Sequence, residues 1–450
     1  MGSNELMKTI ILTTLFALLP ASFTVAVDLH VPKQYETVQS AIDAAVTDDR
    51  ILIAPGVYNE KLVLPSIGIE LIGVDGPADT TIDASGLGGS PISCIIDLKD
   101  PNEHSNDSVS GLTLTGGTGT MNPVWQTLQG GGMFIYNASP TVTNCLITGN
   151  TAEFGGGGIW AQYSDSEITS VHFNNNTVTL PTRGGGGMYL WDCTSTVSSC
   201  TFTNNTSDSG GGFKSKGGDA STITNCDFLN NSTPQTGGGA ACTSSTTLFE
   251  GCSFIENFAK TWGGGASVDF SNDGVSFRSC TFEGNNAGVS GGGLRVHEGS
   301  ALVEKCIFAS NSGPYGGGGI VVNGNDSPGA CTVSGSIFED NFGGEYGGGI
   351  HHTYISSSDA DTSTFCSNFS VPITGNWNDL GGNSMSASCL FFCGGDIDAN
   401  GLVNVEDILS LLSEWGHCDG VTSCFSDQNE DGVVDVNDLL MLIANWGTCE

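Results

Sequence analysis

Two neighbouring stretches of the chain share the pattern that decides the fold. Residues 252–268 read CSFIENFAKTWGGGASV, and residues 280–296 read CTFEGNNAGVSGGGLRV. Both contain a Cys, a Phe two residues later, an Asn three residues after the Phe, and a Gly triplet followed by a small or apolar residue. The triplet occurs nine times at intervals of 25 to 30 residues, ending at Gly132, Gly158, Gly187, Gly212, Gly239, Gly265, Gly293, Gly319 and Gly349. A repeat of this length indicates a solenoid.

A second motif, an apolar residue followed three positions later by Asn, runs in phase with the triplets. It occurs at Ile147/Asn150, Phe173/Asn176, Phe202/Asn205, Phe228/Asn231, Phe254/Asn257, Phe282/Asn285, Phe308/Asn311 and Phe338/Asn341. Short β-branched runs lie between the motifs, and no stretch inside a repeat has helical spacing. We therefore predict an all-β, right-handed, single-stranded parallel β-helix with one coil per repeat, the coils stacked about 4.8 Å apart.

This fold assigns a place to each repeated residue type. We expect the Phe and Cys ladders to point inward and to form a stacked core. We expect the Asn ladder to occupy a turn, because Asn tolerates left-handed dihedrals and can hydrogen-bond to the next coil. We expect each Gly triplet to mark a corner where the backbone passes without a Cβ.

The N-terminal part predicts a cap on the solenoid. Residues 37–45 read TVQSAIDAA, with Val38, Ala41, Ile42 and Ala45 on one helical face, and residues 54–60 read APGVYNE. These segments resemble the entry of pectin-methylesterase-like β-helices, which belong to the pectin-lyase-like superfamily. The repeats of residues 130–350 resemble those of chlamydial-type polymorphic outer-membrane proteins. The first resemblance implies a β-helix that begins near residue 34, and the second implies a surface adhesin.

Composition and the N-terminal segment restrict partners and location. The 450 residues include 48 acidic and 12 basic ones, which gives a net charge of −36. This excludes nucleic acid as a partner, because phosphate contacts need basic residues. The apolar run from Ile10 to Leu19 after Lys8 predicts a secretory signal peptide, with cleavage near Ala26. No later segment has about 18 consecutive apolar residues, so we expect no transmembrane segment and a secreted or cell-surface protein.

The last 57 residues predict a separate calcium-binding module. They contain 12 acidic residues, no Lys or Arg, and a loop pattern repeated at an offset of 31. Both copies fill the oxygen-ligand positions of a calcium loop, at Asp396, Asp398, Asn400, Leu402, Asn404 and Asp407, and at Asp427, Asn429, Asp431, Val433, Asp435 and Asp438. An amphipathic helix follows each loop. We therefore predict a small α-helical domain of two loop–helix repeats that binds two Ca²⁺ ions.

The single helix per loop, with Asp at the twelfth loop position, resembles the type I dockerin family. This resemblance implies attachment to a cohesin-like protein partner; a calcium-stabilised anchor or sorting module is the alternative. Cys393, Cys418, Cys424 and Cys449 allow three disulfide connectivities. The predicted regions are residues 1–26, the signal peptide; 27–85, the cap and first coils; 86–365, the repeats; 366–393, the end cap and linker; and 394–450, the dockerin-like module.

The strand after each Gly triplet carries the candidate functional residues. By alternation, the second and fourth residues after the triplet face outward. They provide candidate carbohydrate-binding residues, namely Phe134, Tyr136, Trp160, Tyr189, Trp191, Lys214 and Lys216. Aromatic rings beside cations suit stacking on sugar rings and pairing with acidic groups. The alternative is that loops such as residues 117–129 cover the aromatic residues.

Further along the same face, Asp269, Arg295 and His297 are expected within about 5–7 Å of each other and are the candidate catalytic residues. The catalytic motifs of pectin methylesterases and polygalacturonases are absent from the sequence. Two hypotheses remain. The first is a secreted calcium-binding β-helix protein that binds or degrades polysaccharide, as a hydrolase or lyase, and is attached through its dockerin-like module. The second is a non-enzymatic surface adhesin or structural repeat protein.

Overall fold

The computed structural model describes residues 26–95, 107–181, 184–217, 220–271, 274–369, 371–386, 402–413, 415–417, 426, 433–444 and 446–448. The chain forms two compact units, Met1–Met385 and Ser386–Glu450. Residues 1–25, which include nearly all of the predicted signal peptide, lie outside the described residues. Among the helices that the structure describes, none is long and apolar enough to cross a membrane.

The first unit is an all-β parallel solenoid, built from three strands per coil that stack into three parallel ladders. The first ladder contains Leu62–Leu64, Ile92–Ile95, Met133–Tyr136, Ile159–Gln162, Met188–Trp191, Phe213–Lys216, Ala240–Thr243, Ala266–Asp269 and Leu294–His297. The second contains Asp28–Val31, Arg50–Ile53, Glu70–Gly73, Ser108–Ser110, Thr141–Thr143, Glu167–Thr169, Thr196–Ser198, Thr222–Thr224, Leu248–Glu250, Val275–Arg278 and Ser300–Glu304.

The third ladder contains Gly56–Tyr58, Thr80–Asp83, Thr113–Thr115, Leu146–Thr148, His172–Asn174, Thr201–Thr203, Asp227–Leu229, Ser253–Ile255, Thr281–Glu283, Ile307–Ala309, Ile337–Glu339, Thr364–Cys366 and Ser384–Ser386. The long strands Ile320–Ser334 and Ile350–Asp361 pair in both the first and second ladders, which are continued by Ile373–Thr374 and Trp377–Gly381. Shorter pairings join Thr151–Ala152 to Thr177–Val178, and Ser232–Thr233 to Phe258–Ala259 and Asn286–Ala287.

The interior of the solenoid is a stack of aromatic rings, as predicted. Eight Phe rings at equivalent positions lie parallel, from Phe173 to Phe365, with centroids 4.6–4.8 Å apart. The Cys ladder is also confirmed as part of the core, and ten cysteines from Cys94 to Cys331 are free and buried. Stacked identical rings remove apolar surface from water at every coil, so burial of this row stabilises the entire length of the solenoid.

The Asn ladder joins each coil to the next by hydrogen bonds. Asn257 is fully buried; its Nδ2 donates to Phe228 O at 2.8 Å and to Asn285 Oδ1 at 3.0 Å. The same pattern runs from Asn150 to Asn368. The predicted link between coils is therefore confirmed, but the left-handed residue is the preceding one, such as Glu256 with φ 53°. The left-handed residue turns the backbone so that the side-chain amide of the following Asn points inward.

The Gly triplets form the corner that the sequence predicts. The first Gly of a triplet is left-handed, as in Gly263 with φ +66°. The second lies against the next coil, because a Cβ on Gly264 would be 2.5 Å from the carbonyl oxygen of Gly292. Any side chain at this position would push adjacent coils apart.

The N-terminal cap includes the predicted helix, Val38–Ala44. Thr37 is its N-cap, and Val38, Ala41 and Ile42 are the buried face. The carboxylate of Glu60, in the APGVYNE segment, accepts hydrogen bonds from the first backbone amides of the helix, each at 2.9 Å. A negative charge at a helix N-terminus is favourable, so the cap and the first coils stabilise each other.

The second unit contains two helices, Val405–Ser413 and Val436–Ala444, each preceded by a short strand. Leu402–Val403 pairs with Gly447–Thr448, and Gly416–His417 pairs with Val433–Val434, both antiparallel. Val403, Leu411, Val434 and Leu442 form a small shared core. The duplicated sequence therefore folds as two repeats that exchange strands around one core.

Candidate glycan-binding surface

The outer face of the first ladder positions the sequence-predicted aromatic residues in one row. Strand pairing places Phe134 beside Trp160 and Trp160 beside Tyr189, each one coil apart. The prediction that these rings are exposed is wrong for most of the row, because Phe134 and Trp160 are fully buried and Tyr136 and Tyr189 are nearly so. They form a second apolar cluster outside the main core, together with Phe154.

The cluster is buried because segments between the ladders fold over it. Phe154 lies just before a Gly triplet and packs edge-on against Trp160 at 5.6 Å. A hairpin formed by Thr120–Met121 and Leu128–Gln129 interrupts the coil that precedes Phe134. This is the covering arrangement that the sequence left open as the alternative for residues 117–129.

A smaller aromatic surface remains accessible to solvent at the edge of this cluster. Trp125, at the tip of the hairpin, is 45% exposed and stacks on the partly exposed Trp191 with ring centroids 5.2 Å apart. The ammonium of Lys216, one coil further on, lies 4.4 Å from the centroid of the Trp191 ring. We call Trp125, Trp191 and Lys216 the aromatic–lysine surface.

Lys214 differs from its expected role, and Tyr163 is an exposed ring that the sequence analysis did not include. Lys214 is almost fully buried, with its ammonium 5.6 Å from the centroid of the Tyr189 ring. It therefore does not offer a free cation as predicted. Tyr163 is 49% exposed and contacts Tyr136 edge-on at 6.1 Å, which adds an exposed ring that sequence reasoning missed. Sequence reasoning also missed Trp125, because it lies in an insertion outside the repeat period.

The predicted proximity of Asp269, Arg295 and His297 is confirmed. Strand register pairs Asp269 with His297, and Arg295 Nη1 lies 2.5 Å from Asp269 Oδ1. The side chains of Asp269 and Arg295 are only 13% and 9% exposed, and the guanidinium lies 4.8 Å above the Trp262 ring. This is a partly enclosed ion pair that is held against an aromatic face.

The chemistry of this trio is that of a neutralised charge pair. Ser267 Oγ donates to the second oxygen of Asp269 at 2.7 Å, so both carboxylate oxygens are engaged. Burial, and after it the Arg295 charge, lowers the pKa of His297, so its imidazole is neutral at pH 7. With one carboxylate oxygen held by Arg295 and the other by Ser267, the arrangement is that of a structural ion pair.

The calcium-loop prediction falls partly on described residues. Asp396, Asp398, Asn400, Asp427, Asn429 and Asp431 lie outside them, as do the four module cysteines. Asn404 and Asp435 precede the two helices, and each accepts a hydrogen bond from a first-turn amide at 2.7 Å. Asp407 and Asp438 are fully buried, and each reaches back to the amide of the preceding ligand position at 2.8 Å.

The two repeats thus hold their ninth and twelfth loop positions in the same way. Carboxylate oxygen is a donor that a hard cation prefers, and each loop has one buried carboxylate, at its twelfth position. Six of the twelve predicted ligand positions lie outside the described residues, so calcium binding at the two loops stays a prediction. In the part of the chain that the structure describes, no group of three or more His, Cys, Asp or Glu is close enough to hold a metal by itself.

Among the comparisons with known proteins, the family match agrees with the fold. Residues 131–338 match the family described as right handed beta helix region. No curated protein matches the chain. Among solved structures it is similar to a family 28 exopolygalacturonase of Yersinia enterocolitica, with 12% identity over 80% of this chain and 78% of that one and a TM-score of 0.42. It is also similar to PfbA, a surface adhesin of Streptococcus pneumoniae, with 12% identity over 79% and 93% and a TM-score of 0.44.

Proposed function

We propose that this protein binds an acidic polysaccharide through the aromatic–lysine surface. The observation that carries the proposal is the exposed contact of Trp125 with Trp191, with the Lys216 ammonium beside them. Exposed aromatic faces offer an apolar platform to the C–H face of a sugar ring, and the cation can pair with a carboxylate or sulfate on the same residue.

The position of Lys216 matters because the chain as a whole is strongly acidic. With 12 basic and 48 acidic residues, most of the protein repels anions. A lysine held over a surface tryptophan provides local attraction where the average field is unfavourable. A neutral glycan would gain from the rings alone, whereas an acidic one would also gain from Lys216.

Site-directed variants test the proposal directly. We expect Trp191→Ala and Trp125→Ala each to weaken binding to oligogalacturonates by about 2- to 10-fold, which corresponds to the 0.5–1.5 kcal/mol of an aromatic contact. Tyr354→Ala is the matched control, because Tyr354 is 82% exposed and lies outside this surface. Isothermal titration calorimetry gives the affinities. Equal affinities for the Trp variants and the control, or no binding to any glycan in an array, would refute the proposal.

The same titrations separate binding from degradation. Release of reducing or unsaturated ends from the polysaccharide would assign a hydrolase or lyase activity. Binding without turnover would favour the second hypothesis, a non-enzymatic surface adhesin, which uses the same contacts. The engaged carboxylate of Asp269 supports binding without turnover at that trio.

For the second unit, we propose that each loop–helix repeat binds one Ca²⁺ ion. Asp407 and Asp438 support this, because each is a fully buried carboxylate at the twelfth loop position. The ion would supply a cross-link between each loop and the helix that follows it. Calorimetry of the full chain should show two ions bound, and one in Asp407→Asn; Glu406→Gln, an exposed neighbour, is the control. A thermal melt of this unit unchanged by chelator would contradict the proposal.

We also propose that the protein is exported and that this unit attaches it to a cohesin-like partner. Its two helices carry exposed apolar residues at matching positions, among them Leu409 and Leu440, 62% and 58% exposed. Such residues are typical of a protein-binding face. The proposal predicts calcium-dependent binding of the full chain to a type I cohesin. The absence of binding at saturating calcium would leave the anchor or sorting module as the role of this unit.

A further inference from the structure

A cleft of about 400 Å³ opens at the N-terminal end of the solenoid, on the same outer face of the first ladder. Its floor includes Ser93, which pairs with Phe134 of the next coil. The hairpin lines it through Thr120, Met121 and Leu128, and the exposed Lys61 lies at its rim. This volume lies within the range of small-molecule sites in proteins, and the walls combine apolar and hydroxyl groups.

Three hydroxyls in the cleft form a chain with a fixed direction. Ser90 Oγ lies within hydrogen-bond distance of the carbonyl oxygen of Gly130, which can only accept, so Ser90 donates there. Thr120, 2.8 Å from Ser90, must therefore donate to Ser90, and Ser93, 2.9 Å from Thr120, must donate to Thr120. Every proton in the chain is used. Ser93 can consequently only accept from a ligand, as a sugar hydroxyl would require.

The charge of the cleft points to an anion. Lys61 is the only charged residue among the described residues that line it, in a protein with four times as many acidic as basic residues. The Lys61 ammonium donates to Gly88 O at 2.7 Å, which holds it at the rim and leaves two of its protons for a ligand. A carboxylate in the cleft would meet no like charge from these lining residues.

The hairpin places this cleft close to the aromatic–lysine surface. Its two strands line the cleft, and Trp125 at its tip stacks on Trp191. Ile95, beside the cleft, and Trp191 occupy the same register position three coils apart. Three steps of about 4.8 Å correspond to about 14 Å, a distance that a short oligosaccharide can span.

We infer that the cleft is a second saccharide subsite, which binds one uronate residue of the chain that the aromatic–lysine surface holds. The uronate carboxylate pairs with Lys61, and one of its hydroxyls donates to Ser93. This inference rests on the proposed function for the identity of the ligand. Because both subsites bind one chain, the second contact is intramolecular and adds to affinity only for chains long enough to reach both.

A series of oligogalacturonates from monomer to octamer tests this inference by calorimetry. For the unmodified protein, we expect affinity to rise steeply, by 10-fold or more, once the oligomer spans both subsites. Lys61→Gln and Ser93→Ala should abolish that step but leave the affinity for short oligomers unchanged. Lys305→Gln is the control for charge, because Lys305 follows the second-ladder strand Ser300–Glu304 and does not line the cleft. It should retain the step.

The possible outcomes separate the two proposals. If Lys61→Gln and Lys305→Gln follow the same length dependence as the unmodified protein, the cleft is not a subsite, whereas the proposed function stands. If the unmodified protein binds no oligomer of any length, the proposed function fails and the cleft inference fails with it. A third outcome concerns Trp191→Ala. If this variant no longer binds short oligomers but still shows the rise of affinity with length, and Lys61→Gln abolishes that rise, the two sites bind separate chains and the inference is wrong.

Discussion

Replacing one ladder asparagine by alanine measures what holds the coils together. Asn285 is fully buried and takes part in four side-chain hydrogen bonds. Its Nδ2 donates to Phe254 O at 2.7 Å and to Asn311 Oδ1 at 2.9 Å. Its Oδ1 accepts from the backbone N and the Nδ2 of Asn257, both at 3.0 Å. At about 1 kcal/mol for each bond, we expect Asn285→Ala to lower the free energy of unfolding by about 4 kcal/mol.

The adjacent residue provides a matched control for this prediction. Asn286 has the same side chain but is exposed, so Asn286→Ala should change stability by less than about 0.5 kcal/mol. Urea unfolding followed by circular dichroism compares the two variants. Hydrogen exchange should show the loss mainly in the coils that contain Asn257 and Asn285, because contacts in a solenoid join nearest neighbours. Equal unfolding midpoints for the two variants would show that the ladder amides are not what links the coils.

Three further predictions concern buried groups, one of them on the outer face of the first ladder. Arg295→Met should destabilise the protein by about 3–5 kcal/mol, because it leaves Asp269 enclosed without its partner. The control in the same urea assay is Arg278→Met, which breaks the exposed pair with Glu304 and should cost less than about 1 kcal/mol. Burial raises the pKa of Cys145 to about 12, so its thiol stays protonated at pH 7. It should therefore react with a disulfide reagent only after unfolding, as mapped by mass spectrometry. Rapid labelling of the folded chain would contradict this. Gly264→Ala should lower the melting temperature, because its Cβ would lie 2.5 Å from the carbonyl oxygen of Gly292 in the next coil. An unchanged melt would show that the corner can open.

The repeated features of the fold could be predicted because each follows from one period. A residue that recurs once per coil must occupy the same place in every coil, so the inward Phe row and the Gly corner follow from sequence spacing. The direction of the strand after the triplet also follows, and it brings Asp269 next to Arg295. The prediction put the left-handed dihedral on the ladder Asn, one residue too late. The repeat identifies the Asn side chain, but it does not show which residue bends the backbone to orient that side chain.

Exposure could not be predicted in the same way. Alternation correctly places Trp160 on the outer side of its strand, but it does not show what covers that side. The covering residues, such as Phe154 and the hairpin that carries Trp125, lie in segments of irregular length outside the period. The candidate glycan surface therefore moved from the centre of the aromatic row to its edge. The cleft beside Lys61 has no sequence signature, because it is formed by three separate segments, within residues 61–63, 88–93 and 118–128.

The identical joints between coils also determine how this protein can change in length. Asn231, Asn257 and Asn285 present the same donors and acceptors to their neighbours, so deletion or duplication of one whole period leaves two faces that still match. Loss of a single residue within a strand instead turns inward side chains outward. The protein can thus be shortened or extended in steps of about 4.8 Å. Such steps would alter the distance between the glycan surface and the C-terminal end of the solenoid without changing the geometry of either.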